Sequence, residues 1–205
     1  MTGAPIRVLL FIPDYVTMET VQKGDDTMAI AEQKVYTLKD IYNLPDGQRA
    51  ELIDGAIYFM APPSRRHQEI LFSLSRKIAD YIDSQKGSCK IYLAPFAVFL
   101  NEDQKNYVEP DISVICDNNK LSDKGCTGAP DWIIEIVSPS SQRMDYMIKL
   151  FKYRTAGVRE YWIVDPTKNR VTTYDFITDS IEEYTMTDFV TCNIYKNLEI
   201  DFSEI

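Results

Sequence analysis

The chain has 205 residues, of which 45% are hydrophobic and 26% charged, and its 22 basic against 31 acidic side chains give a net charge of −9. This suffices to bury the core of one domain, and it excludes a disordered chain, a collagen-like repeat and a disulfide mini-protein. The acidic balance also argues against a protein that coats nucleic acid non-specifically, while leaving room for a small local site.

Residues 1–27 read as an N-terminal extension, with patterned sequence starting at Met28, so the expected organisation is an extension followed by one domain over 28–205. The apolar run Ile6–Ile12 is too short to span a bilayer, and no small-residue cleavage site follows it. Thr37 to Leu44 reads as a short helix capped by Thr37 and stopped by Pro45-Asp46-Gly47. Asp54-Gly55, between two apolar runs in Glu51–Met60, signals a hairpin. Pro62-Pro63 precedes a long helix over 64–86, capped by Ser64, with Ile70, Leu71, Leu74, Ile78, Tyr81 and Ile82 at helical spacing. Residues 89–100 are β-like and interrupted by Pro95.

Asp111–Cys116 and Trp132–Val137 are short runs rich in β-branched residues. The second is apolar on both faces except at Glu135, the pattern of a central, doubly covered strand. Ser138-Pro139-Ser140 ends it and opens a helix to Ala156, stopped by Gly157, and Glu160–Val164 makes another strand. Val171–Phe176, Ile181–Met186 and Leu198–Phe202 complete a meander. The order predicts an α/β (α+β) domain with a mixed central sheet flanked by helices.

The charge is unevenly spread. Residues 61–90 and 141–170 carry +3 and +4, the stretch 91–140 between them carries −5, and residues 171–205 carry −7. The four cysteines, Cys89, Cys116, Cys126 and Cys192, form no CxxC pair and His67 is the only histidine, so a zinc site lacks ligands. Reduced thiols in a soluble cytoplasmic protein are the expectation.

Glu135 is the most informative residue, because an acid in a buried strand is costly unless it is paired or bound to a cation. Asp111 begins the neighbouring strand, and pairing of the two runs would bring both acids to one sheet edge. Two carboxylates about 4 Å apart repel by about 4 kcal/mol at an effective dielectric near 20. One must protonate, or a divalent cation must sit between them, and hard oxygen donors select Mg²⁺ or Mn²⁺. The alternative for Glu135 is a salt bridge to a basic residue of a packed helix. Asp145, Lys149 and Tyr153 share one face of the following helix, from which Lys149 could reach the acids or form an ordinary surface pair with Asp145.

The string Glu51-Leu52-Ile53-Asp54-Gly55, then His67, Pro110-Asp111 and Glu135-Ile136-Val137-Ser138-Pro139-Ser140 resembles the Uma-type restriction endonuclease family of the PD-(D/E)XK nuclease superfamily. Asp145-x3-Lys149-x3-Tyr153, Gly157-Val158 and Glu160-Tyr161-Trp162-Ile163-Val164-Asp165-Pro166 extend the match over residues 34–176. The resemblance implies a restriction-endonuclease-like core that binds Mg²⁺ at Asp111 and Glu135, with Glu51 completing the acidic cluster. The superfamily places its lysine two residues after the glutamate, where this chain has Val137. The resemblance assigns that role to Lys149 on the next helix, with Lys152 as the alternative.

The implied function is a Mg²⁺-dependent endonuclease in which Asp111, Glu135, Glu51 and Lys149 direct a metal-activated water onto a phosphodiester of DNA. A homodimer is implied by resemblance alone. Arg65, Arg66, Lys152, Arg154 and Arg159 could line a DNA-facing rim, and His67 could touch a phosphate or be a satisfied core histidine. The rival is a catalytically inactive nuclease-fold module that binds nucleic acid or protein.

Overall fold

The computed structural model describes residues 34–101, 103–195 and 197–205. The expected extension over 1–27 and the run Ile6–Ile12 lie outside the described residues.

Helix α1 (Leu38–Tyr42) starts at Thr37, whose backbone N–H and hydroxyl both donate to the Asp40 carboxylate, at 2.8 and 3.0 Å. Strands β1 (Ala50–Ile53) and β2 (Ala56–Phe59) form the hairpin, turning on Asp54 and Gly55 with φ of 52° and 78°. Two consecutive positive φ values define the turn that Asp-Gly favours. A side chain at Gly55 would also collide with Val35, whose Cγ1 lies 2.5 Å from the Cβ position. Helix α2 (Arg65–Ser84) is capped by Ser64, whose hydroxyl accepts from the His67 N–H at 3.2 Å. It buries Ile70, Leu71, Leu74, Ile78 and Ile82, the stripe expected from their spacing.

The β-like segment 89–100 divides at a cis Ala94–Pro95 bond into β3 (Lys90–Leu93) and β4 (Val98–Phe99). Then come β5 (Ile112–Ile115), the short β6 (Leu121–Ser122) and β7 (Gly125–Thr127), and β8 (Trp132–Ile136). The helical segment after β8 differs from expectation. It does not run as one α-helix from Ser140: Met144–Lys149 winds as a wider π-helical turn before α3 (Leu150–Ala156), and Gly157 closes the helix at φ 95°. A wider turn lets Asp145 and Lys149 both point inward. Strands β9 (Glu160–Asp165), β10 (Arg170–Asp175) and β11 (Ser180–Thr185) follow, then β12 (Phe189–Thr191) and β13 (Glu199–Asp201).

The central sheet has six strands in the order β11-β10-β9-β8-β5-β3. Its one parallel pair is β8 with β9, joined across the sheet by the π turn and α3, and the other neighbours are antiparallel. The mixed sheet and the interior position of β8 agree with the sequence reading. Alternate residues of β8 divide the core. Trp132, Ile134 and Ile136 face α2 and the C-terminal strands, whereas Ile133 and Val137 face α3 with Tyr161 and Ile163. A smaller cluster of Leu38, Ile41, Ala50, Leu52 and Tyr107 seats α1 on β1.

The expectation of four reduced cysteines is corrected for two of them. Cys89 and Cys116 are disulfide-bonded, and Cys126 and Cys192 are free and buried. The physical reason is register. β3 and β5 pair with Lys90 opposite Ile115, so Cys89 and Cys116 are the next partners on the same ladder.

Candidate active site

The β5–β8 ladder pairs Ile112 with Ile134, so the next partners, Asp111 and Glu135, stand opposite one another on one face at the end of the ladder. Asp111 is oriented by the neighbouring strand, its Oδ2 accepting the Ile136 N–H at 2.8 Å. The same oxygen lies 3.1 Å from His67 Nε2 at the start of α2. Glu135 is nearly inaccessible, and its Oε1 accepts from the Lys149 amine at 2.9 Å and the Tyr153 hydroxyl at 2.6 Å. Among the described residues its Oε2 accepts no hydrogen bond.

Lys149 joins the elements. Its Nζ lies 2.9 Å from Glu51 Oε1 on β1, 2.9 Å from Glu135 Oε1 on β8 and 4.0 Å from Asp145 Oδ1 one turn back. The amine is buried, so the alternative of a surface Asp145–Lys149 pair does not apply. Glu51 Oε1 also accepts the Glu109 N–H at 2.9 Å, which locks the hairpin onto the segment leading to Asp111. The structure thus brings Glu51, Glu135 and Lys149 into direct contact, with Asp111 beside them at the strand end. Lys152, the alternative lysine, instead reaches Asp54 at the hairpin turn.

The electrostatics follow from burying three acids, Glu51, Glu135 and Asp145, against one amine. Burial opposes the Lys149 charge, but Glu135, Glu51 and Asp145 outweigh it and hold the amine protonated, its pKa well above the usual lysine value. Burial also pushes Glu135 well above the ordinary carboxylate range, against the pull of Lys149 and with the help of the neighbouring acids. Asp145 is pushed up to about 6, again chiefly by burial. At His67, burial works against the charge, but Asp111 more than compensates and raises the pKa. The Tyr153 and Tyr161 hydroxyls are kept neutral by burial and by the nearby carboxylates.

Sequence reasoning missed several members of this cluster. In the sequence Tyr153 reads only as part of a helix face, whereas its hydroxyl donates to Glu135 Oε1. Tyr161 donates to the Asp145 carbonyl at 3.0 Å, and Glu109 receives the Tyr107 hydroxyl and the Arg49 guanidinium. The signal available for Glu109 was its place two residues before Asp111. His67 is paired through Nε2 with Asp111, and its buried Nδ1 has no partner among the described residues. The expected basic rim is corrected at two of its five members, Arg154 and Arg159. Arg159 pairs with Asp131 and Arg154 with Asp179, at the far end of the sheet. Asp131 lies four residues from Glu135 along β8, about 13 Å at about 3.3 Å per residue. Arg65 pairs with Glu69 and Arg66 with the Ile205 carbonyl.

Among the described residues no three His, Cys, Asp or Glu side chains form a ready-made metal cage. The donors still fit a hard cation. Mg²⁺ keeps several waters and is usually held by one or two carboxylates plus substrate phosphate, and Asp111 and Glu135 supply two. The acids outnumber the cations of the cluster, and the free Oε2 of Glu135 fits the same reading. Among the described residues, no helix is long and apolar enough to cross a membrane.

The six-stranded mixed sheet flanked by helices agrees with the restriction-endonuclease-like core that the resemblance implies. The family model for Uma2, described as "Putative restriction endonuclease", matches residues 36–194, and the chain belongs to this family. The family supports a nuclease-type function. The chain is 26% identical over 181 residues to the uncharacterized protein sll1609 of Synechocystis sp., covering 86% of this chain and 97% of that one. It is 28% identical over 128 residues to the uncharacterized protein slr1290 of the same organism, covering 62% and 66%. A crystal structure from Anabaena variabilis, of "a putative nuclease belonging to DUF820", matches with a TM-score of 0.67 at 21% identity, covering 82% of this chain and 96% of that one. That likeness shows the fold.

Proposed function

We propose that the protein is a Mg²⁺-dependent endonuclease that hydrolyses phosphodiester bonds of DNA, Mn²⁺ being able to substitute. The observation that carries this reading is the buried Lys149 amine held between Glu51 and Glu135 beside the strand end that presents Asp111. Asp111 and Glu135 would hold the cation. When bound, it supplies positive charge to a phosphate oxygen and lowers the pKa of coordinated water.

The chain's own groups do the rest. Lys149 and Tyr153 fix Glu135 by one oxygen and leave the other to face the site. The protonated Nζ of Lys149 places a fixed charge where an attacking water must be oriented and where charge develops on the phosphate. Glu51 holds that amine in place, and its bond from the Glu109 N–H ties the hairpin to the site. His67 keeps Asp111 turned toward the ladder end, with its unpartnered Nδ1 beside it. Cutting both strands of a duplex calls for two such sites, which a homodimer would provide.

The rival, an inactive binding module on the same fold, draws on the closed ion cluster in which Lys149 spends two donors on carboxylates. Plasmid nicking with Mg²⁺ separates the two. Wild type should nick, and Asp111→Asn and Glu135→Gln should lose at least about 100-fold, the order expected when a transition-state charge stabiliser is removed. Equal nicking by all three proteins would place the activity elsewhere.

A further inference from the structure

Apart from the acidic cluster, the structure holds a cavity of about 330 Å³, lined by Tyr42, Ala97, Phe99, Tyr107 and Lys124. Its size is at the lower end of the range for small-molecule sites. Three of its five lining residues are aromatic. Phe99 and Tyr107 meet edge to face with ring centroids 5.7 Å apart, and Tyr42 from α1 is largely exposed at 63%. One cation, Lys124, comes from the β6–β7 turn. Outside the lining, Arg49 pairs with Glu109, whose other carboxylate oxygen receives the Tyr107 hydroxyl.

The cavity wall is wired to the proposed site. Tyr107 exchanges both backbone hydrogen bonds with Leu52, each at 2.7 Å, and Leu52 is the residue after Glu51. Two residues beyond Tyr107, the Glu109 N–H donates to Glu51 itself. Leu52 and Tyr107 pair side by side and pack with α1, so the cavity lies on the face of β1 opposite to the Glu51 side chain and is joined to the site through the strand. Aromatic faces joined by cations are the combination that takes an unpaired base and its phosphate, because every base has a π-face and every nucleotide a negative charge.

We propose that this cavity is a stacking subsite for one unpaired nucleobase of the strand whose backbone is presented to the acidic cluster. The proposal rests on the nuclease reading above and adds where a nucleotide of the substrate strand is held away from the scissile bond. Tyr42 closes over the base from its exposed position, Phe99 and Tyr107 form the inner wall, and Lys124 accompanies the adjoining phosphate.

The test is titration of the full chain into a single-stranded DNA oligonucleotide carrying 2-aminopurine, with EDTA present so that no cleavage occurs, and a matched RNA strand as the second arm. The expected result is saturable quenching by wild type. Tyr42→Ala should bind at least about fivefold more weakly, Tyr42→Phe should bind as wild type does, and Lys124→Ala should flatten the salt dependence. Tyr42 and Lys124 contribute nothing to the buried core, so folding is preserved, and circular dichroism checks it. Quenching of either strand supports the subsite and identifies the nucleic acid. No quenching by wild type, or equal quenching by wild type and Tyr42→Ala, overturns it. Plasmid nicking by the same preparations keeps the two readings apart. Quenching without nicking removes the nuclease and leaves the subsite, whereas nicking without quenching removes the subsite and leaves the nuclease.

Discussion

Among the described residues, Lys149 is the single positive charge in direct contact with Glu51 and Glu135, and all three are buried. Removing one partner of a buried ion cluster leaves uncompensated charge, which typically costs about 3–5 kcal/mol. Lys149→Ala should therefore lose about that much unfolding free energy in urea at pH 7, and a loss below about 1 kcal/mol would show that the cluster is not held by the amine. Asp145 behaves in the opposite sense. Its carboxyl titrates near 6 in the folded chain against an ordinary value of about 3.9, so the native state binds the extra proton between those limits. Its ionisation consequently lowers stability as pH rises from about 4 through 6, and the cost persists above. Asp145→Asn, an amide that needs no charge buried, should raise the melting temperature relative to wild type at pH 8, with the gain vanishing near pH 4. A gain of the same size at both values would assign it to packing.

At the scale of elements, the C-terminal strands are tied to the sheet by one carboxylate. Glu160, fully buried at the start of β9, accepts the Trp162 indole N–H at 2.7 Å, the Asn193 N–H at 3.0 Å and the Ile194 N–H at 2.9 Å. These are charge-assisted bonds, and Glu160→Ala would leave several buried donors unmet at about 1–3 kcal/mol each. Hydrogen exchange should show residues 189–201 losing protection first in this variant, and uniform loss across the sheet would contradict a local anchor. The elements themselves were unevenly legible in the sequence. The α1 cap, the Asp-Gly hairpin, the α2 stripe and the doubly apolar β8 could be read because each is a local pattern. The strands β6, β7 and β12 could not, being two or three residues long and set by what they pair with. The π turn was invisible for a related reason, since only the cluster it feeds decides how wide that turn winds. The disulfide needed the β3–β5 register, which Cys89 and Cys116 alone do not reveal.

At the scale of the whole molecule, the sheet order places the antiparallel end of β5 beside the parallel pair β8 and β9, and the acids gather there. Glu51, Asp111, Glu135 and Lys149 were nameable from their motif strings. Their geometry required four elements to meet, the β1 hairpin, the start of β5, β8 and the π turn, and so did the parts played by Tyr153 and Glu109. The net charge of −9 also takes on a different meaning. Part of it is the site's own acid, concentrated where a divalent cation would be drawn, and the acidic C-terminal segment supplies much of the rest. Calorimetric titration of Mg²⁺ or Mn²⁺ is the most direct test of that claim. Wild type should give saturable heat, and Glu135→Gln and Asp111→Asn should give none, with circular dichroism unchanged. Identical isotherms for wild type and both variants would contradict a cation held by these two carboxylates.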